Sequence, residues 1–493
     1  MSTHRMIDKP KEPVFGLGER PSLQLALCIA FACSTSAVTA ADWIISPAIL
    51  VEQVYTDNAL LTQDNEEDDS ITRVRPSLSL YKEGARASLD FNYAPEYRHY
   101  WQDTEDNEVV HLLRAEGNVE LYENTLFLDG WANADRSNVT SSGRVGLNGL
   151  TGTADDTDVY SIGLSPYLTA RFGGYSVLEV RYTGDRVDYS EDGPSDSVGH
   201  SVDIVLGSGS YFTNQIWEVS AFQKRVDYEA LDDDNESSIF RAELVQQLTH
   251  QWALAFAAGY EEYILAVTED SDGSLWSLGA IYTPTPRTRI AAGFGERSFG
   301  DDYFVDFSHR SSRTLFTAEY ERDFISARDE VGRQTLFQRQ DAFGNLVRDP
   351  ILEDARSVTR SGTTPTLTED FYEIRRFITG FTYQTPRTLS GIRGAYTERI
   401  YDDSARDTED LDIALNFVRR LTRLTEGVVE ITWHDHDEAL LTYDQWVASL
   451  GLSYQLGSDA SVAMSLSHME RDADPEAGSY EENHVSVSFN TRF

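Results

Sequence analysis

The chain has 493 residues, 25% of them charged, and its 82 acidic side chains outnumber 41 basic ones for a formal net charge of -41. That balance excludes a nucleic-acid partner, because phosphate binding depends on clustered Lys and Arg. It suits a surface bathed in salt or divalent cations.

At the N-terminus, Arg5, Lys9, Lys11 and Arg20 precede an apolar run at residues 25–33 and then Val38-Thr39-Ala40. This is the pattern of an export signal for the general secretory pathway, with cleavage expected after Ala40 and Met6 as an alternative start. Cys28 and Cys33 both fall inside it. The chain from residue 41 onward therefore offers no disulfide, thiolate nucleophile or cysteine metal site. A lipoprotein reading of the same segment is disfavoured by the bulky Phe31 ahead of Cys33. No later stretch approaches the ~20 apolar residues of a membrane helix, the best being residues 252–260. Any membrane passage after the signal must be made by strands.

Residues 43–56 read as a first strand, followed by an acidic loop at 57–70 and an alternating segment at 71–82. A Glu83-Gly84-Ala85 turn leads into the clearest strand: Ala87, Leu89, Phe91, Tyr93 and Tyr97 share one face, and Ser88, Asp90, Asn92, Glu96 and Arg98 the other. This is the period of a strand with one apolar and one wet side. The grammar recurs at 111–122, 125–136, 160–170, 176–184, 200–210, 216–228, 238–249, 252–264, 274–284, 287–297, 303–310, 314–324, 371–383, 389–398, 411–420, 428–434, 443–456 and 461–468. The last stretch alternates Val485, Val487, Phe489 and Phe493 with His484, Ser486, Ser488, Asn490 and Arg492. The count is about 22, with 16–20 as the alternative, and even numbers are the rule for single-chain outer-membrane barrels.

The connections alternate between short turns and longer acidic loops, and the two longest gaps, 137–158 and 326–369, both fall on the loop side. These observations predict an all-β fold: one closed antiparallel transmembrane β-barrel with short periplasmic turns and long acidic extracellular loops. Residues 1–40 form the cleaved signal and 41–493 the barrel. The terminal strand should pair with residues 43–56, odd residues from Val485 facing lipid, since an unpaired edge cannot face hydrocarbon. A soluble sandwich would have to bury many charges, at prohibitive cost unless they are paired.

The motifs Trp43-Ile44-Ile45-Ser46-Pro47, Tyr55-Thr56-Asp57-Asn58, Pro76-Ser77-Leu78-Ser79-Leu80 with Gly84, and the terminal Phe493 resemble the outer-membrane β-barrel proteins associated with PEP-CTERM and exopolysaccharide systems, within the broader β-barrel porin class. The resemblance implies an outer-membrane location and a link to exopolysaccharide export or envelope biogenesis. Val485, Val487, Phe489 and Phe493 also look like the signal read by the barrel-assembly machinery, except that Thr491 stands where an apolar residue is usual.

The expected lumen lining carries both signs of charge: Arg73, Arg75, Asp90, Glu96, Arg98, Arg114, Glu116, Asp129, Glu179, Arg181, Arg241, Glu243 and Arg289. Such rows either set a channel's selectivity or pair across strands to stiffen the wall. Residues 326–369 contain a hairpin-like segment that folds over the lumen or lies outside as a flap. His434-Asp435-His436-Asp437 puts two imidazoles on one strand face at a metal-binding spacing, but no third ligand is evident, and the expectation is a solvated cluster at the acidic rim. Asp270-Ser271-Asp272-Gly273 is only a fragment of a calcium loop. No catalytic, cofactor or metal site is assigned. Gly-x-Ser-x-Gly and His-Glu-x-x-His are absent from the sequence, which leaves an Asp/His rim site at 435–437 as the place to look for hydrolysis.

The expected function is a porin-like channel for hydrophilic solute, tied to exopolysaccharide export. The alternative is a non-conducting scaffold or receptor whose acidic loops bind polysaccharide or cations. Expected partners are outer-membrane lipid and lipopolysaccharide, the assembly machinery, and exopolysaccharide with its export components.

Overall fold

The computed structural model describes residues 43–152, 155–190, 194–267, 269–331 and 365–493. The signal segment and the hairpin-like part of 326–369 lie outside these residues. The described chain forms 22 strands, each antiparallel to its neighbours in sequence. They are β1 (Trp43–Thr56), β2 (Asp69–Glu83), β3 (Ala87–Tyr100), β4 (Glu108–Tyr122), β5 (Leu126–Asn138), β6 (Asp156–Phe172), β7 (Ser176–Tyr189) and β8 (Ser197–Ser208). There follow β9 (Gln215–Tyr228), β10 (Asn235–Gln247), β11 (Trp252–Ile264), β12 (Ser271–Thr285), β13 (Thr288–Arg297), β14 (Gly300–Arg310) and β15 (Thr314–Ser326). The set ends with β16 (Phe371–Gln384), β17 (Thr388–Ile400), β18 (Thr408–Arg420), β19 (Thr425–Glu438), β20 (Leu441–Gln455), β21 (Ala460–Asp474) and β22 (Tyr480–Arg492).

Closure is made by β1 and β22, which pair from Ala48↔Arg492 to Thr56↔His484. The amide of Phe493 extends the seam by donating to the carbonyl of Pro47 at 2.9 Å. No strand of this sheet is left with a free edge, which is the condition for crossing hydrocarbon. Along β22, Val485, Val487 and Phe489 are exposed on the outside while His484, Ser486 and Ser488 are buried inside. The same division holds on β6, where Ile162, Leu164 and Leu168 are exposed outward. An apolar exterior on a closed sheet is a lipid-facing surface, because in water these side chains would be covered.

The strands run from 10 to 17 residues, longer than the ~9–11 a bilayer needs. Most overshoot at one end of the barrel, where β7 and β8 occupy much of the expected loop 185–199 and β21 and β22 much of 470–482. All connections at the opposite end are short. Loop-end connections are not uniformly long: residues 298–299 and 439–440 are two-residue turns.

The apolar core sits inside the barrel mouth. Leu61, Leu147, Val447, Met469 and Tyr480 make one cluster, Val54, Ile71, Tyr100 and Leu150 a second, and Ile325, Ala327, Tyr372, Ile374 and Tyr401 a third. Leu61, Leu147 and Leu150 belong to loops, so burial draws those loops inward, and each such side chain gains about 1.5–3 kcal/mol by leaving water.

Candidate functional site: the closed mouth and the lumen wall

The described residues of two loops are pinned inside the loop end of the barrel by polar contacts. The first, residues 139–155 between β5 and β6, reaches across to β21, β22 and β1. Glu482 on β22 receives hydrogen bonds from the Leu147 amide (2.9 Å), Thr151 Oγ1 (2.7 Å) and Thr56 Oγ1 (3.0 Å). Arg471 donates to the carbonyls of Ser142 and Gly143, Arg98 to that of Gly149, and the Tyr100 hydroxyl to that of Leu150. A left-handed turn at Asn148 and Gly149 lets the loop reverse under these anchors. The sequence placed 137–158 among the long loops but its inward fold was not anticipated, although a signal existed: residues 139–152 contain no acidic residue in a chain with 82.

The second loop leaves β15 through a helical turn at 327–331 and returns through 365–370. Its outgoing arm spans the mouth. Arg328 pairs with Asp185 on β7 and donates to Ser197 on β8, Asp329 pairs with Lys224 on β9, and Glu330 is bound by Arg376 on β16 and Arg399 on β17. Its returning arm bonds Leu367 to the Val139 carbonyl, Glu369 to Ser195 and Asn235, and Asp370 to Arg406. The two loops touch each other where Ser141 and Thr366 share hydrogen bonds.

Below this lid lie the inward charges. Under the first loop Glu52 pairs with Arg73, Arg73 and Arg75 with Glu96, and Glu96 with Arg98, all buried; half-buried groups continue the chain of pairs at the strand ends, Arg98 to Glu108, Glu108 to Arg136 and Arg136 to Asp158. The wet inner side expected of these strands is corrected at Glu52, Arg73, Arg75, Glu96 and Arg98, where cross-strand pairing offsets the desolvation that an isolated charge would suffer. Arg114 pairs with Glu116, and Asp90 accepts from Asn92. Farther along the wall the pairs are half-open to the lumen: Arg181 with Asp129 and Glu179, Arg241 with Glu243, and Arg289 with Asp306. The structure thus places each of the thirteen expected lining residues in a polar contact on the inner wall.

Aromatic rings share that wall, and the sequence reading did not single them out. Phe127 stacks on Tyr167 with centroids 4.9 Å apart, and the Arg181 guanidinium lies 3.8 Å over the Tyr167 ring. Trp131, two residues on from Asp129, lies against Gly163, where a Cβ would collide with the indole. The glycine lets a broad ring lie flat on the barrel wall.

The histidine pair also departs from expectation. His434 and His436 are buried, not solvated, and a third potential ligand, Asp410, comes from the adjacent strand β18. Sequence spacing could not reveal it, because the register Asp410↔His436 and Asp412↔His434 exists only once β18 and β19 pair. Asp435 and Asp437 alternate to the opposite face from the imidazoles, with Asp435 across from Asp444. The Asp/His pairing expected within 435–437 is therefore replaced by contacts from β18. In the calcium-like fragment, Asp270 instead accepts from the Leu265 amide and Asp272 from the Tyr260 hydroxyl.

Fold and site together define a large closed transmembrane β-barrel whose mouth is crossed by inward-folded loops. No family model matches the chain, and no curated protein matches it either. Among solved structures it is similar to the FrpB iron transporter from Neisseria meningitidis, with TM-score 0.52 for the F5-1 variant apoprotein and 0.51 for the F3-3 variant. Each is 9% identical and aligns over 92% of this chain and 81% of the other. The siderophore receptor PirA from Pseudomonas aeruginosa aligns at TM-score 0.49 and 11% identity over 91% and 80%. At such identities the likeness is one of fold alone.

Proposed function

We propose that this protein is an outer-membrane transport barrel that passes a hydrophilic solute through a normally closed mouth, and that the solute is an exported polysaccharide. The observation that carries the reading is the combination of a charge-lined inner wall with a second loop whose arms, at Arg328 to Glu330 and Asp370, are held by ion pairs rather than by continuous backbone pairing. Large barrels of this strand number enclose a lumen wide enough to need a plug, and here loops cover it. Ion pairs can exchange partners with an incoming polar ligand, whereas a packed apolar plug cannot do so cheaply. The flat rings of Trp131, Phe127 and Tyr167 beside Asp129, Glu179 and Arg181 support the polysaccharide assignment. Sugar rings stack their C–H faces on aromatic surfaces and hydrogen-bond to neighbouring charged groups. Export through the secretory pathway and insertion by the assembly machinery are parts of the same reading, as is the absence of catalysis.

Planar-bilayer recording tests it. The intact protein should show low, infrequent conductance, variants lacking the lid's ion pairs should open, and added acidic or neutral polysaccharide should block the open state. A barrel that stays silent in the variants would instead be a surface receptor or scaffold, the reading that the closed mouth itself favours.

A further inference from the structure

We propose that Asp410, His434 and His436 form a binding site for a divalent transition-metal ion of the zinc or copper class, built into the inner wall at the loop end of β18 and β19. One ligating atom from each residue lies within 4.8 Å of the others, and all three side chains are buried. Asp410 Oδ1 faces both rings, 2.7 Å from His436 Nδ1 and 3.7 Å from His434 Nε2. Its other oxygen is held by Arg399 at 2.7 Å, which fixes the carboxylate's orientation and leaves Oδ1 for the rings.

What distinguishes this group from an ordinary buried histidine pair is the second partner of each imidazole. His434 Nδ1 lies 2.9 Å from Asp412, so Nε2 is the nitrogen with the lone pair, which accepts from the Tyr443 hydroxyl at 3.1 Å and has Asp410 Oδ1 3.7 Å away. His436 Nε2 is a buried nitrogen with no hydrogen-bond partner, and the nearest carboxylate oxygen, from Glu438, is 3.5 Å away. In the metal-bound form a proton on that nitrogen, facing Glu438, would leave the Nδ1 lone pair to the ion. Each ring thus has a carboxylate behind the nitrogen that does not ligate, the arrangement that orients metal-binding histidines and raises their basicity. Binding would replace the proton between His436 Nδ1 and Asp410 Oδ1 with the ion, and that proton leaves to solvent. Bonds of about 2.0–2.2 Å require only small side-chain rotations from the present positions. Two imidazoles and one carboxylate suit zinc, copper(II) or nickel rather than calcium or magnesium, which prefer all-oxygen shells. An ion bound to His434 Nε2 would displace the Tyr443 hydroxyl that now lies 3.1 Å from that nitrogen.

The acidic loops will bind cations loosely, so the decisive measurement must report nitrogen ligation. Full-length protein is purified in detergent and titrated with copper(II), followed by electron paramagnetic resonance, and with zinc(II), followed by calorimetry. The expected result is one copper per chain with splitting from two imidazole nitrogens. Zinc affinity should fall at least ~100-fold in the double variant H434A/H436A and about 10–100-fold in D412N. An all-oxygen copper spectrum, or zinc affinity unchanged in the double variant, would overturn the proposal and leave a hydrogen-bond network around Arg399. Should the double variant fail to fold, the copper spectrum of the intact protein decides alone.

Discussion

Arg399 grips Glu330 with two parallel hydrogen bonds, Nη2 to Oε1 at 2.8 Å and Nε to Oε2 at 3.0 Å, and both side chains are almost wholly buried. One belongs to the barrel wall and the other to the helical turn that crosses the mouth. Removing one partner of a buried pair costs about 3–5 kcal/mol, because the remaining charge has lost its water and its counterion. Arg399→Ala should therefore free the outgoing arm of the lid and raise open probability in bilayers. Arg181→Ala, on the half-open wall away from these contacts, should leave the mouth shut. Equal effects from the two variants would mean that the Glu330 pair is not a latch.

The same pair sets a pH dependence. Burial pushes the Glu330 carboxyl up, but the Arg399 and Arg376 guanidiniums and the Tyr372 hydroxyl outweigh it and hold the group below the usual carboxylate range. A carboxylate whose pKa is depressed in the closed state stabilises that state fully above its free value of 4.5, and the contribution is lost as pH falls through the depressed value. Conductance should thus stay low from neutral pH to about 4.5 and rise only below it. Glu330→Gln should show a higher and flatter baseline. A rise already complete between pH 7 and 5 would point to another group.

Glu482 plays the corresponding part for the first loop. Replacing it with Ala leaves the Leu147 amide and the Thr56 and Thr151 hydroxyls without their acceptor, at roughly 1–3 kcal/mol for each donor that stays buried. The loop should then detach from β22. Trypsin reports this directly, since Arg144 lies within the loop. Cleavage after Arg144 should be slow in the intact protein and fast in Glu482→Ala, with the barrel itself still folded. Slow cleavage in both would show that the apolar contacts of Leu147 and Leu150 hold the loop unaided.

The assignment of faces is open to an equally direct check. Leu164 points out of β6 into the lipid zone, while Ser161 lies on the inner face. An arginine at the middle of the bilayer on the outer face costs about 2–4 kcal/mol. Leu164→Arg should lower the unfolding free energy in lipid by that amount, and Ser161→Arg should have a much smaller effect. The opposite order would invert the barrel register.

Much of the architecture could be read from the sequence because alternation is a local property. β1 and β11 match their expected bounds, and most other strands differ only by extending beyond the membrane-spanning part, where polar residues on both faces hide the period-two signal. Alternation also explains why charges two positions apart with an apolar residue between, such as Glu179 and Arg181 or Arg241 and Glu243, were expected on one face.

Their pairing was less legible, since each ion pair depends on register between strands. Glu96 meets Arg73 and Arg75 from β2, and Arg136 meets Glu108 and Asp158 from β4 and β6. The closed mouth and the Asp410 contact to the two histidines were still harder to see. Glu482 and Leu147 are 335 positions apart, and Glu330 and Arg399 are separated by a loop and two strands.

By itself, then, the sequence determined the approximate strand number and the inside and outside of each strand, which follow from side-chain period along single strands, and the seam between β1 and β22, which follows because an unpaired edge cannot face hydrocarbon. Only the tertiary structure decided that the loops fold inward, that the loop-end charges are dry and paired, and that a third ligand stands beside His434 and His436. These features are set by which strands become neighbours when the sheet closes, and long-range partners leave almost no trace in local pattern.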